Sequence, residues 1–248
     1  MLKKYLRFSG LALAALFFVR CSSIYMPNVP ATPMFREQGE AYAAAHVNVK
    51  GNISANAGLA LTEHVAVLAN GSYANVGGAS SNDNFNQHLY EGAIGYFTKV
   101  GKEKRQVFEI YGGYGVGSST DIDSRSTTTG MAPVEERIMN FDKIFVQVNY
   151  SSTRKRKLDL FGKKRNLNYG TAIRVSRVAM KDFTINGFAA PTEENLFIEP
   201  LFFTRLELNK GFQLQYTNGF NFGLIQNEYL KAGNAVFTLG VTYNLRKK

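Results

Sequence analysis

Ala235-Val236-Phe237-Thr238-Leu239-Gly240-Val241-Thr242-Tyr243-Asn244-Leu245 carries the plainest strand pattern in the chain. Ala235, Phe237, Leu239, Val241, Tyr243 and Leu245 share one face, while Val236, Thr238, Gly240, Thr242 and Asn244 share the other. A period of two is that of a pleated strand, whereas a helix would scatter Leu239 and Tyr243 away from Phe237 and Val241. The Val and Thr content agrees. The chain ends soon after, at Arg246 to Lys248, so this strand is placed to return to the first one and close a sheet.

Working back along the chain, the same alternation recurs nine times, in 39–48, 52–61, 65–73, 89–99, 106–117, 139–151, 168–180, 196–208 and 212–217. These ten segments are mostly ten residues or longer, where strands of soluble sandwiches mostly run to five or six. Ten residues at a steep tilt cross a hydrocarbon layer. Connections after the second, fourth and eighth segments are short, and those after the third, fifth, seventh and ninth are long; the first, which is short, and the sixth, which is long, depart from this rule. Ser118 to Glu136, rich in Ser, Thr and Asp, reads as a polar loop. The expectation is an all-β chain forming an antiparallel up-and-down β-barrel of about ten strands, with short turns at one rim and long loops at the other. In a membrane barrel the apolar face points out and the polar face points in, and in a soluble barrel the directions reverse. The alternation is the same in both.

The polar face carries Glu91, Glu109, Arg174, Glu199, Arg205 and Glu207, which a membrane barrel would hold in its interior as ion pairs or as the lining of a narrow pore.

Residues 1–20 read as an export signal, with Lys3, Lys4 and Arg7 ahead of the apolar run Leu11 to Val19. Cys21 follows, the sole cysteine, which rules out an internal disulfide and marks the expected lipidation site. Residues 21–38 contain Pro27, Pro30 and Pro33 and no alternation, and read as a lipidated tether ahead of a barrel domain over 39–248. Loss of Lys3, Lys4, Arg7 and Arg20 with the signal lowers the formal charge from +10 to +6. Export argues against nucleic acid as the partner of this excess, and outer-membrane lipid or lipopolysaccharide phosphates fit better.

Motifs for catalysis, metals and cofactors are weak. His46, His64 and His88 are the three histidines, and no cysteine or paired acid completes a metal site around them. Gly112 to Gly117 is glycine-rich but precedes no helix, so it reads as a curved strand and not as a phosphate loop. Asp121-x-Asp123 lacks the glycine and glutamate of a calcium loop. No catalytic residue and no cofactor is expected.

Tyr25-Met26-Pro27-Asn28, Pro33-Met34-Phe35, Gly39-Glu40 and the run Leu61 to Gly71 resemble the opening third of uncharacterised outer-membrane β-barrel-like lipoproteins from Bacteroidota. The resemblance implies a barrel, an outer-membrane location and no agreed activity. It also implies an anchor on the periplasmic side, since Ser22-Ser23-Ile24 stands where surface-directed members carry an acidic run. Three functions follow for testing: an outer-membrane barrel lipoprotein with a structural, surface or small-pore role; a lipid-tethered soluble periplasmic barrel holding a hydrophobic ligand; and a membrane-embedded enzyme acting on lipid.

Overall fold

The computed structural model describes residues 23–48, 51–77, 83–127, 130–153, 157–160, 162–209, 211–231 and 236–245, the side chains at 83, 125–133 and 160 excepted. The export signal and Cys21 lie outside the described residues. Ten long strands follow in order: β1 (Ala41–Asn48), β2 (Asn52–Ala60), β3 (Val65–Val76), β4 (Asp83–Val100), β5 (Gln106–Thr127), β6 (Gly130–Thr153), β7 (Leu167–Ile185), β8 (Glu194–Glu207), β9 (Phe212–Gly219) and β10 (Val236–Leu245). Each pairs antiparallel with its neighbour in sequence. The quoted stretch closes the ring: β10 pairs with β9, and with β1 through Ala41↔Leu245 to Asn48↔Thr238. The structure is therefore a closed ten-strand, all-β up-and-down barrel. Closure leaves no sheet edge, which an apolar solvent requires.

Three segments differ most from the sequence expectation. The strand expected from Leu89 already begins at Asp83. Ser118 to Glu136 is mostly ladder, not loop: β5 and β6 stay paired out to Thr127↔Gly130, with a bulge between Asp123 and Ser124. Periodicity vanished there because both faces are polar, yet the backbone bonds persist. Likewise β7 runs on to Ile185 and turns back through Asn186 and Gly187, at φ 52° and 80°. Positive φ at both residues is what a tight hairpin matching the strand twist demands, and Asn-Gly supplies it cheaply.

The larger correction concerns the residues read as a tether. They run through the barrel as an internal strap. Ile24, Tyr25, Asn28, Ala31, Thr32 and Phe35 are each no more than 2% exposed. Ser23 sits at the long-loop rim, where its Oγ donates to the Lys231 carbonyl at 2.6 Å. The strap then crosses to the short-turn rim, where Arg36 donates to the carbonyls of Lys104 and Arg105. A bend at Met34, φ 62°, and Gly39, φ 81°, leads into β1. Leu245 thus lies at the short-turn rim and Ser23 at the opposite one.

Polarity is inside out relative to a soluble protein. Val47, Ile53, Tyr90, Ile94, Ile144 and Phe202 point outward, each more than half exposed. On β5 the outward run Phe108 to Val116 is eight residue steps, about 27 Å along the strand. At a tilt of ~40° that gives a band about 20 Å high, close to the ~25 Å of outer-membrane barrels. Exposed tyrosines edge it: Tyr96, Tyr150 and Tyr169 toward the short turns, Tyr73, Tyr90 and Tyr114 toward the long loops. Beyond Ile144 and Val175 charge resumes, in Asp142 paired with Lys181 at 2.7 Å and in the Arg177–Glu194 pair. Between these rims, among the described residues, no outward position carries a charged side chain.

Candidate functional site

The lumen is layered. Toward the long loops, Tyr25 of the strap stacks on Phe197 with ring centres 5.1 Å apart and meets Phe141 edge-on at 5.6 Å, amid Leu89, Met139 and Leu230. Toward the short turns, Phe35 packs on Phe97 at 5.7 Å, beside Tyr42, Leu68 and Tyr111. Small inward residues make room for it. A Cβ at Gly58 would come within 3.1 Å of the Phe35 ring and 2.7 Å of Leu68.

Charge lies between these two apolar corks. Glu91 accepts from Arg174 Nη1 at 3.1 Å and lies 3.2 Å from Lys143 Nζ, and Lys143 lies 3.4 Å from Glu199. Asn28 of the strap joins the group, donating to Glu91 at 2.9 Å and accepting from Arg174 at 2.9 Å. Gln147 Oε1 accepts both Arg174 Nε, at 3.0 Å, and Nη2, at 2.7 Å. The Tyr25 hydroxyl donates to Glu199 at 3.3 Å. Nearer the short turns, Glu109 accepts from Asn149 Nδ2, Tyr111 Oη and the Phe35 N–H at 3.1–3.2 Å. Arg205 donates to Gln215 and to both oxygens of Thr32, each at 2.5 Å. The Arg174 and Arg205 guanidinium groups also lie over Phe145 and Phe203, at 4.3 and 4.7 Å. Within the lumen Glu91, Glu109 and Glu199 equal Lys143, Arg174 and Arg205 in number; Glu91 and Glu199 meet bases directly, whereas Glu109 and Arg205 are held by uncharged donors and acceptors. Buried charge is costly unless it is paired or hydrogen-bonded.

The strap has no β-ladder, so its backbone depends on side chains. Gln87 serves Met26 at both N–H (2.8 Å) and carbonyl (2.6 Å). Ser119 donates to the Ile24 carbonyl, Asn56 to Val29, Gln147 and Asn149 to Ala31, and Asn244 to Pro33. Each of the three prolines removes a donor that would otherwise need a partner here.

Of the six interior residues expected from sequence, Glu91, Arg174 and Glu199 come together in one network, while Glu109 and Arg205 lie in the second layer. Glu207 does not join them. It is half-buried at the short-turn rim and accepts from Asn166 at 2.6 Å. Sequence reasoning missed Lys143, which is fully buried. Its alternation with Phe145, Gln147 and Asn149 on β6 was the signal that could have found it. It also missed the polar groups of the strap, which no periodicity marks. The histidines stay apart. His46 is buried in the lumen, His64 lies in the β2–β3 turn stacked on Tyr96 at 5.2 Å, and His88 is exposed on β4.

No family model and no curated protein matches the chain. Among solved structures it is similar to the translocator domain of the autotransporter NalP from Neisseria meningitidis, at 12% identity and a TM-score of 0.47, over 84% of this chain and 82% of that one. It is also similar to the ferripyoverdine receptor of the outer membrane of Pseudomonas aeruginosa, at 8% identity and a TM-score of 0.26, over 87% of this chain and 41% of the receptor. Likenesses this loose add nothing to the strand pairing described above.

Proposed function

We propose that the chain is an outer-membrane barrel lipoprotein, closed by its own strap, with a structural or surface role and no open pore. One observation carries this reading: the apolar band faces outward while the charged lumen is occupied by Ile24 to Phe35. A soluble barrel holding a hydrophobic ligand needs the reverse polarity, an apolar interior with room in it. A lipid-modifying enzyme needs one base beside a nucleophile in reach of lipid, whereas His46 is closed off in the lumen and His64 is stacked on Tyr96 in the β2–β3 turn.

The strap also bears on the anchor. Two residues extend at most about 7 Å, so an acyl chain on Cys21 would enter the bilayer on the side where Ser23 emerges. With long loops facing outward, as in outer-membrane barrels generally, that is the external leaflet and not the periplasmic one.

The test is extraction. Cys21→Ala protein in a Gram-negative host is expected to stay in outer-membrane pellets after carbonate and urea washing, and to migrate faster unboiled than boiled. Release into the wash would mean that lipid was the only anchor, and the spanning barrel would be abandoned.

A further inference from the structure

The two rims differ in net charge. At the short-turn rim Lys99, Lys102, Lys104, Arg105, Lys163 and Lys164 outnumber Glu37, Glu63, Glu103, Asp159 and Glu207, whereas at the long-loop rim Asp121, Glu135, Glu136, Glu193, Glu194 and Glu228 outnumber Arg137, Arg177, Lys181 and Lys231. The basic rim also holds a cleft of about 590 Å³, lined by Lys102, Glu103, Arg105, Gln106, Ser152, Thr153 and Tyr169. Its position matters as much as its charge. Tyr169, 47% exposed, stands at the edge of the apolar band, so the cleft opens where hydrocarbon gives way to head groups. The cleft is also held in shape. Arg36 ties the carbonyls of Lys104 and Arg105 to the strap, and Thr153 Oγ1 donates to Asn168 at 2.8 Å. Glu103 takes the Nε edge of Arg105 at 2.6 Å, which orients the guanidinium. Lys102 is exposed and makes no ion pair among the described residues.

Given the reading of the barrel as membrane-spanning, we propose that this cleft seats the phosphate of a glycerophospholipid from the leaflet at the short-turn rim. Lys102 and Arg105 meet the phosphate oxygens, the Ser152 hydroxyl lies behind them, and Tyr169 lies along the glycerol and upper acyl chain. A planar guanidinium and a mobile ammonium are the two side chains suited to a phosphate. Segregated rims then fix the barrel's orientation in the membrane, with the basic rim on the anionic phospholipid leaflet.

Native mass spectrometry of the full chain in detergent tests this, with phosphatidylglycerol, diacylglycerol and inorganic phosphate as probes. The parent is expected to retain phosphatidylglycerol and not diacylglycerol. The double variant Lys102→Gln, Arg105→Gln is expected to bind it roughly tenfold to thirtyfold more weakly, as the loss of two interfacial cations dictates. The pair Lys163→Gln, Lys164→Gln at the same rim should bind like the parent. Equal retention by the Lys102/Arg105 variant, or equal retention of diacylglycerol, overturns the site. Displacement of the lipid by inorganic phosphate at matching concentration overturns the lipid assignment in favour of a free anion. Failure of the spanning reading shows separately, as release of the Cys21→Ala barrel in the carbonate wash.

Discussion

Replacing Glu91 by Leu removes the acid at the centre of the lumen network. Its carboxylate is fully buried and lies within 3.2 Å of Arg174, Lys143, Asn28 and Asn70. Without it Lys143 keeps Glu199, and Arg174 keeps Gln147 and the Asn28 carbonyl, so one positive charge is left uncompensated in a site without water access. Breaking a buried pair in this way costs about 3–5 kcal/mol. Solvent screening does not reduce that figure, since both cations are also 0% exposed. Glu91→Gln keeps the shape and should cost less. A double variant that also converts Lys143 to Met restores neutrality and should recover at least half of the loss, because coupled charges are not additive. The assay is urea unfolding of the refolded barrel in vesicles, read from the fraction of fast-migrating unboiled band. Glu91→Leu should also loosen Asn28, so the strap should become sensitive to added protease. A loss below ~1 kcal/mol with an intact strap would refute the reasoning, since it would mean that water reaches the network.

Three more outcomes are expected. Gly113→Ala should destabilise by about 1–3 kcal/mol, since its Cβ would fall 2.3 Å from the Phe145 ring and 2.7 Å from the Gly92 carbonyl, while Gly112→Ala, with nothing within 4 Å, should shift stability by less than ~0.5 kcal/mol. Deleting residues 23–35 should give steady conductance in planar bilayers where the full chain gives none; a silent deletion variant with a folded barrel would show that the lumen closes without its strap. In a Cys21→Ser background, Ser23→Cys should react with an impermeant maleimide on intact cells, and Lys102→Cys only after the outer membrane is opened; the opposite pattern would reverse the barrel.

The barrel wall was legible in the residues alone. Alternation depends only on which face each residue presents, and the unlike surroundings of the two faces impose it on every strand from β1 to β10. It also named Glu91, Glu109, Arg174, Glu199 and Arg205, because a charge on the polar face of an otherwise apolar strand has one side to go to. It was blind where a segment meets only one kind of surroundings. Ser118 to Ser124 lies in a ladder with mostly polar side chains on both faces, so the backbone bonds that hold it leave no trace in the pattern. The strap is the sharper case. Pro27, Pro30 and Pro33 read as a tether because they forbid a ladder, and that same lack of donors fits the strap for a lumen with no strand to offer. Whether Gln87, Asn56, Gln147, Asn149 and Arg205 would meet water or a backbone depends on distances across a closed ring. Those distances exist only once β10 has returned to β1, so it took the closed ring to show that the barrel is filled and that Ser23 lies among the long loops.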